Sequence, residues 1–425
     1  MSRAFVRKYG TLLLLAAGAG IIFQLPYIRE TFYVQIQKAM NLNNTQMGLL
    51  SSGYSSMALL SYFLGGIIAD KFSARKLLTF SFLATGGLGL WFSMFPGYNV
   101  CRVIFVLMGI STIITYWSAC IKATRMLGTS EEQGRLFGLQ EGLRGVMNAL
   151  LVFGMLAAYN HFADNVLGAQ WAIRVCAIVV IVIGILNWFV IEDTKREENS
   201  ESVLSVAKGM FQAMKLPRVW IICAIVFSAY SIYGMLGYLN TYCVKVYGAP
   251  ESVGTSLGAF RYLIQAVGGV IGGFLADKIG SRIKVIIGCS VLFVASFFGF
   301  LLLPPSAALL NAVIVNFIFG LFLIYVVRSM YFAIIDDAHL PVSATGRVSG
   351  FVSFLGYSPD IFMYTMLGSW MDSNPGKAGF NMMFVYALAM AVICFIFSFI
   401  LFRIVKKDNA KSAAGKTPDL QVSAN

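Results

Sequence analysis

The stretch of this chain with the most ionisable and polar side chains inside an apolar region is residues 134–148, GRLFGLQEGLRGVMN. Glu141 and Arg144 are three residues apart, so they share one face of a helix and can form an ion pair. Arg144 lies roughly 15 Å along that helix, near the middle of a span. Gln140 and Asn148 add polar groups. Two interpretations are open: a structural ion pair, or an anion-binding arginine beside a carboxyl that releases the anion or accepts a proton.

Two further arginines interrupt apolar stretches elsewhere. Arg261 stands in ESVGTSLGAFRYLIQAVGG, with Gln265 one helical turn later, and we predict that both line a central cavity. Arg328 stands in YVVRSMYF. It either contributes to an inner gate or is structural, reaching the water phase or pairing with Asp336 and Asp337.

An aspartate also falls within an apolar stretch, in GYSPDIF. Asp360 follows Pro359, whose ring interrupts a regular helix and frees backbone carbonyls. Ionisable residues inside a span are energetically expensive and are functional candidates by default. Asp360 and Glu141 are therefore the candidates for proton coupling. A structural pairing of Asp360 with a basic residue remains open.

Positive charge exceeds negative charge within these stretches. Arg144, Arg261 and Arg328 oppose only Glu141 and Asp360. If all five line one cavity, the empty cavity favours an anionic solute, because a guanidinium binds carboxylate, phosphate or sulfonate through paired hydrogen bonds. The neutral residues expected to add contacts are Gln24, Tyr27, Tyr116, Trp117, Tyr230, Tyr233, Tyr238 and Asn240.

These residues must be positioned by membrane-spanning helices. Of the 425 residues, 58% are apolar and 12% are charged, and the mean hydropathy is +0.76. Soluble domains carry about 25% charged residues, so most of this surface must face lipid. Runs of about 20 apolar residues, the length that crosses a bilayer, predict an all-α protein of twelve transmembrane helices, here numbered spans 1 to 12. They lie near residues 10–28, 48–69, 77–95, 101–121, 136–159, 168–191, 219–240, 255–276, 285–303, 308–334, 347–370 and 380–403.

The placement of basic residues predicts the orientation. If the N terminus is cytoplasmic, only six of the 32 Lys and Arg fall at the outer side and three fall within spans. This follows the positive-inside rule, places both termini in the cytoplasm, and explains the net charge of +13 without nucleic acid. Residues 1–28 are predicted to be span 1 rather than a cleaved signal peptide. The six outer residues are Arg29, Lys38, Arg102, Arg174, Lys245 and Lys377.

A long internal polar stretch divides the spans six and six. We predict an N-terminal bundle over residues 1–191, a cytoplasmic loop over 192–218, a C-terminal bundle over 219–405 and a disordered tail over 406–425. The seven Cys are predicted to be packing residues, and the two His lack metal-ligand spacing. No metal or cofactor is therefore expected.

The two halves carry matching sequences. Residues 65–76 read GGIIADKFSARK and residues 272–284 read GGFLADKIGSRIK, which places Asp70 and Asp277 207 positions apart. Shorter matches precede spans 2 and 8 and open spans 5 and 11 at nearly the same offset. An internal duplication of six helices is typical of transporters that rock two bundles around a central site.

The duplicated loop resembles motif A of the major facilitator superfamily, with Ile283 as a small departure in the second copy. The resemblance implies that fold and a latch on one conformation. By pseudo-symmetry, Asp70 is expected to meet the start of span 11 and Asp277 the start of span 5. The alternative is that the basic residues only fix the topology. The latch residues are Asp70, Arg75, Asp277, Arg282, Arg135 and Arg347.

These features predict a secondary active carrier that moves a small hydrophilic anion of the sugar-acid, sugar-phosphate or sulfo-sugar class by alternating access. Residues 133–145 also resemble the enterobacterial YihN-type branch of the superfamily. Protons are the candidate coupling ion, and we expect a monomer in a bacterial inner membrane. The rivals are a proton-driven exporter of amphipathic drugs, indifferent to Arg144, and a transporter-like sensor. No nucleophile–base pattern or phosphate loop favours an enzyme.

Overall fold

The fold was analysed in a computed structural model, which describes residues 3–129, 132–192, 208–209, 211–338, 340 and 345–413. Every regular element in those ranges is helical. Within them, eight helices are long and apolar enough to cross a membrane unaided. The remaining spans of the twelve-helix plan include helices that are interrupted near their middle.

The first six spans are built from eight α-helices and one π-helix. They are, in order, α1 (Arg3–Ile21) and α2 (Arg29–Met40) for span 1, α3 (Asn44–Lys71) for span 2, α4 (Ala74–Phe92) for span 3, α5 (Tyr98–Gly109), a π-helix (Ile110–Trp117) and α6 (Ser118–Arg125) for span 4, α7 (Gln133–Asn160) for span 5, and α8 (Asn165–Val190) for span 6.

The last six spans repeat this plan. They are, in order, α9 (Pro217–Leu236) and α10 (Leu239–Tyr247) for span 7, α11 (Glu251–Ile279) for span 8, α12 (Arg282–Leu302) for span 9, a 3-10 turn (Ala307–Leu309) with α13 (Leu310–Arg328) and α14 (Ile334–Asp337) for span 10, α15 (Thr345–Gly356) and α16 (Pro359–Ser373) for span 11, and α17 (Lys377–Ala413) for span 12.

Spans 1, 7 and 11 are interrupted, and each interruption has a local cause. Span 1 passes through turns over residues 22–28, where Pro26 lacks a backbone N–H donor. Span 7 turns at Gly237 and Tyr238, and span 11 turns just before Pro359. Non-helical backbone at membrane depth is tolerated only where it is buried in protein or lines a cavity. The interruptions therefore mark the centre of the molecule.

Span 1 is longer than the sequence predicts. The predicted run ends at residue 28, which places Arg29 in an outer loop, but α2 continues through Met40. A capping box between Asn43 and Gln46 then starts α3. Because Arg29 is only 3% exposed, it lies inside the helical bundle and not in the predicted loop.

The last helix also extends beyond its predicted end. α17 continues to Ala413, so residues 406–413, predicted as part of a disordered tail, are helical. An ion pair of 2.8 Å between Arg218 and Asp408 holds this extension, and Arg218 also donates to the carbonyl of Ala338 at 2.9 Å. Residues 193–207, the middle of the predicted loop, and residues 414–425 lie outside the described residues.

The two halves close on each other at the end of the molecule opposite the chain termini, here called the far end. Asp372 of span 11 accepts hydrogen bonds from Asn44 and Thr45 at the start of span 2. Lys38 pairs with Glu251, which opens span 8. Spans 2 and 11 approach so closely that a Cβ on Gly48 would collide with the Tyr364 carbonyl.

The duplicated loops lie at the other end, which carries the termini and is here called the terminal end. Arg282 pairs with Asp337 of its own half at 2.8 Å, while Asp277 is exposed. Arg75 lies over the Trp188 ring. Arg347 donates to Gln212. The cross-half latch pairings stay predictions, because the side chains of Asp70 and Arg135 lie outside the described residues.

Candidate functional site

A buried group of charges lies between span 1 and span 8, just beyond the interruption of span 1. Arg261 Nη1 lies 3.0 Å from Glu30 Oε2, and Arg29 Nη2 lies 3.9 Å from Glu30 Oε1. All three side chains are at most 4% exposed. Two guanidinium groups from opposite halves therefore share one carboxylate.

Aromatic rings complete the surroundings of these two arginines. The Arg29 guanidinium lies 3.4 Å from the centre of the Tyr364 ring and 5.0 Å from that of Tyr238. Arg261 Nε donates to the Tyr325 hydroxyl at 3.0 Å. Cation–π contacts of this kind stabilise a guanidinium without supplying a hydrogen-bond acceptor. Within the described part of the chain, no acceptor meets any of the three Arg29 side-chain nitrogens.

Tyr233 of span 7 connects this group to Arg328. Its ring centre lies 4.5 Å from the Arg261 guanidinium and 3.8 Å from that of Arg328. The acidic residues considered as structural partners of Arg328 were Asp336 and Asp337, and Asp337 pairs with Arg282 at 2.8 Å. Among the described side chains, no acid forms an ion pair with Arg328, which remains partly exposed beside Tyr233.

Arg144 faces this arrangement from span 5. It pairs with Glu141 at 3.2 Å, as their spacing predicts, and lies 5.9 Å from the ring centre of Phe23 and 5.8 Å from that of Trp117. The Glu141 side chain is 54% exposed and that of Arg144 is 23% exposed. Beside Arg144, spans 5 and 8 approach closely, since a Cβ on Gly145 would lie 2.8 Å from the Tyr262 carbonyl. Arg144 thus lies where the two halves meet.

Asp360 lies deeper, at the interruption of span 11. It is 4% exposed, and its Oδ2 accepts a hydrogen bond from Tyr230 at 2.8 Å and is approached by the Tyr27 hydroxyl at 3.5 Å. Because Tyr27 belongs to the N-terminal half, this contact also joins the halves. The other carboxylate oxygen has no hydrogen-bond partner among the described residues. A carboxyl held this way can lose or gain a proton without breaking an ion pair.

The predicted neutral residues lie in different surroundings. Tyr27, Trp117 and Tyr233 contact the charged side chains, and Gln265 is half-buried one turn from Arg261. Two amides instead hold the interrupted segments together. Gln24 donates to Asn148 at 2.8 Å, and Asn240 donates to the Glu30 carbonyl at 2.9 Å. Tyr116 is buried and packs against Phe23 and Phe82.

Arg29 and Glu30 are the site residues that the sequence analysis missed. With them, four arginines meet three acids at the centre, so the excess of one positive charge persists. One signal was available inside the predicted outer loop of residues 29–47: Asn43 and Gln46 have the spacing of a capping box, which marks a helix start at residue 44. A helix start within that stretch indicates that it is not simply an outer loop.

The family follows from comparison with known sequences. The model described as Major Facilitator Superfamily matches residues 9–364. The chain belongs to the major facilitator superfamily. It is 30% identical to the Escherichia coli (strain K12) inner membrane protein YqcE over 419 residues, 96% of this chain and 97% of YqcE. It is also 30% identical to YihN of the same strain over 399 residues, 92% of this chain and 93% of YihN.

Two further similarities agree with this assignment. The chain is 23% identical to the hexuronate transporter of Bacillus subtilis (strain 168) over 373 residues, 81% of this chain and 83% of that protein. Its fold is similar to the crystal structure of a bacterial homolog of the human lysosomal transporter Spinster, with a TM-score of 0.73, 15% identity and coverage of 96% and 99%. This major facilitator protein is therefore a multi-pass membrane transporter and not an enzyme.

Proposed function

We propose that this transporter carries a small hydrophilic anion of the sugar-acid, sugar-phosphate or sulfo-sugar class by alternating access. The observation that carries the proposal is the pair of partly exposed arginines, Arg144 and Arg328, one in each half and each beside an aromatic ring. Only Arg144 has an acidic partner among the described residues. A solute with one anionic group would neutralise the positive charge of Arg328 through charge-assisted hydrogen bonds.

The rings around these arginines suit the uncharged part of such a solute. Phe23 and Trp117 flank Arg144, and Tyr233 flanks Arg328. Ligand sites commonly combine apolar and aromatic walls with a few placed polar groups. The hexuronate transporter among the relatives is named for a sugar acid, and that name supports the same solute class here.

The orientation of the carrier is part of the proposal. The basic residues at the terminal end favour a cytoplasmic location for that end, by the positive-inside rule. The side-chain contacts at the far end would then close the structure toward the outside, and solute would exchange with the cytoplasm. The two E. coli relatives are named inner membrane proteins, which supports a bacterial inner membrane. We propose a monomer.

Proton coupling is assigned to Asp360 rather than to Glu141. Asp360 is buried, bonded only to tyrosine hydroxyls among the described residues, and in contact with both halves. Glu141 is half-exposed and paired with Arg144 in the same helix. Protonation of Asp360 would change the charge at the contact between the two halves. A coupling group has to change that charge.

Thermal stabilisation of the detergent-purified protein tests the solute class. The panel contains glucuronate, a hexose phosphate, a sulfo-sugar, glucose and a lipophilic cation. A ligand that binds only the folded state raises its apparent stability by mass action. We expect one anion class to stabilise wild type and the Arg102→Gln control, whose exposed arginine lies outside the site, but not Arg144→Gln. Stabilisation by the cation in all three proteins would instead support a drug exporter.

A further inference from the structure

The ion pair between Glu30 and Arg261 joins the two bundles where neither partner meets water. Glu30 belongs to span 1 and Arg261 to span 8, and their side chains are 4% and 2% exposed. In contrast, Glu141 and Arg144 lie in one helix, and Glu141 is half-exposed. A relative movement of the halves must therefore act on the Glu30–Arg261 pair, whereas the Glu141–Arg144 pair can move as a unit.

The surrounding backbone fits tightly around Glu30. Asn240 donates to the Glu30 carbonyl at 2.9 Å, and a Cβ on Gly258 would lie 3.0 Å from that same oxygen. A Cβ on Gly237 would lie 3.1 Å from Arg261 Nη1. Spans 7 and 8 thus press against span 1 at this point. Opening of the far end would withdraw span 1 from both and separate Glu30 from Arg261.

The hydrogen bonds of this group are incomplete. Arg261 Nη1 and Nη2 and Glu30 Oε1 lack hydrogen-bond partners in the described structure, although Nη1 and Oε2 are 3.0 Å apart. The pair is close enough for attraction but lacks hydrogen-bond geometry. A buried ion pair without such bonds is weakly held, whereas a buried guanidinium with no counter-ion is strongly unfavourable. Arg261 therefore needs an anion whenever it is buried, but that anion need not be Glu30.

We infer that Glu30 is an internal counter-anion, which exchanges with the anionic group of the solute on Arg261 once in each transport cycle. This inference rests on the proposed function, since it requires a transported anion. In the state described here, Glu30 occupies Arg261 and the far end is closed. When the far end opens, Arg261 loses Glu30 and becomes the first arginine that an arriving anion meets.

The test compares Glu30→Gln with Glu141→Gln, since each variant removes a carboxylate beside an arginine. Affinity for glucuronate, a hexose phosphate and a sulfo-sugar is measured by thermal stabilisation of the purified full-length chain. Glu30→Gln should bind the anion that stabilises wild type about tenfold more tightly, because the internal competitor is gone. Glu30→Asp keeps the charge on a shorter side chain and should give an intermediate affinity, which also covers the case in which Glu30→Gln folds poorly.

A second readout follows the far end itself. Thr241 is buried where spans 1, 7 and 8 meet, so a cysteine introduced there reports opening through its rate of maleimide labelling. Labelling should be faster with Glu30→Gln and unchanged with Arg102→Gln, whose exposed arginine lies outside the site. Equal anion affinity and equal labelling in Glu30→Gln and wild type would overturn the inference alone. If no anion stabilised wild type or any variant, the proposed function itself would fail.

Discussion

At the scale of single residues, Arg328 gives a sharp test of anion binding, because it lies in the site without an acidic partner among the described residues. Arg328→Gln should lower affinity for the stabilising anion by tenfold or more, since a hydrogen bond to a charged group contributes about 1.5–3 kcal/mol. The melting temperature without ligand should change little, because the substitution leaves no carboxylate unpaired. Calorimetric titration of this variant and of Arg102→Gln measures the affinity, and thermal unfolding without ligand measures the melting temperature. Equal anion affinity in the two variants would contradict the assignment.

Asp360 carries a second prediction at this scale. Asp360→Asn keeps the shape and the tyrosine contacts but removes the ionisable group. Solute uptake into proteoliposomes should then lose its response to an imposed proton gradient, while Glu141→Gln should keep that response. If a proton gradient does not affect uptake by wild type, or if only Glu141→Gln abolishes the response, Asp360 is not the coupling group.

Charged residues in apolar runs could be found from the sequence, but their partners could not. An arginine or aspartate surrounded by leucine, valine and phenylalanine is conspicuous, so these positions could be named as candidates from the sequence. Arg29 and Glu30 were missed because they directly follow the end of an apolar run, where charges normally mark the membrane surface. The pairing of Glu30 with a residue more than 200 positions away depends on packing that local patterns do not contain.

At the scale of elements, the far end is held by a clasp formed by Asp372, Asn44 and Thr45. Asp372 accepts four hydrogen bonds of 2.6–3.0 Å from the backbone and side chains of the other two residues. It therefore caps the N terminus of α3 from the opposite half of the molecule, where the helix dipole also favours a negative charge. Opening of the far end must break all four bonds.

Asp372→Ala should weaken far-end closure, and Asp164→Ala provides the matched control. Asp164 caps its own helix, α8, through a 2.7 Å bond from the Leu167 N–H. Each substitution should reduce stability by about 1 kcal/mol, the usual contribution of a cap. Only Asp372→Ala should accelerate maleimide labelling of a cysteine at position 241. Equal labelling rates in the two variants would show that the clasp does not control closure.

The positions of the helices could be predicted from hydropathy, whereas their interruptions could be predicted from the sequence only in part. Pro359 predicted the break in span 11, and the structure places a turn directly before it. The turn at Gly237 in span 7 was not predicted, because the residues around it are as apolar as those in an unbroken helix. Span 12 was predicted to end too early. Its last turns are polar and are held by an ion pair with Arg218 and not by apolar burial.

At the scale of the whole molecule, the duplicated sequence was sufficient to predict two six-helix bundles around a central site. The superfamily assignment confirms that fold. The end at which the bundles touch could not be predicted, because the contacts between the halves depend on packing that the duplicated pattern does not contain. In the structure, the far end is closed and Asp277 is exposed at the terminal end.

The central claim is that this protein transports a small anion that its central arginines bind. Counterflow in proteoliposomes tests this claim most directly. Vesicles loaded with unlabelled glucuronate, a hexose phosphate or a sulfo-sugar are mixed with a trace of the same labelled solute. We predict transient, saturable accumulation for at least one of these anions with wild type and Arg102→Gln, and none with Arg144→Gln. Counterflow of a lipophilic cation or neutral sugar that is indifferent to Arg144→Gln, without any anion counterflow, would contradict the account.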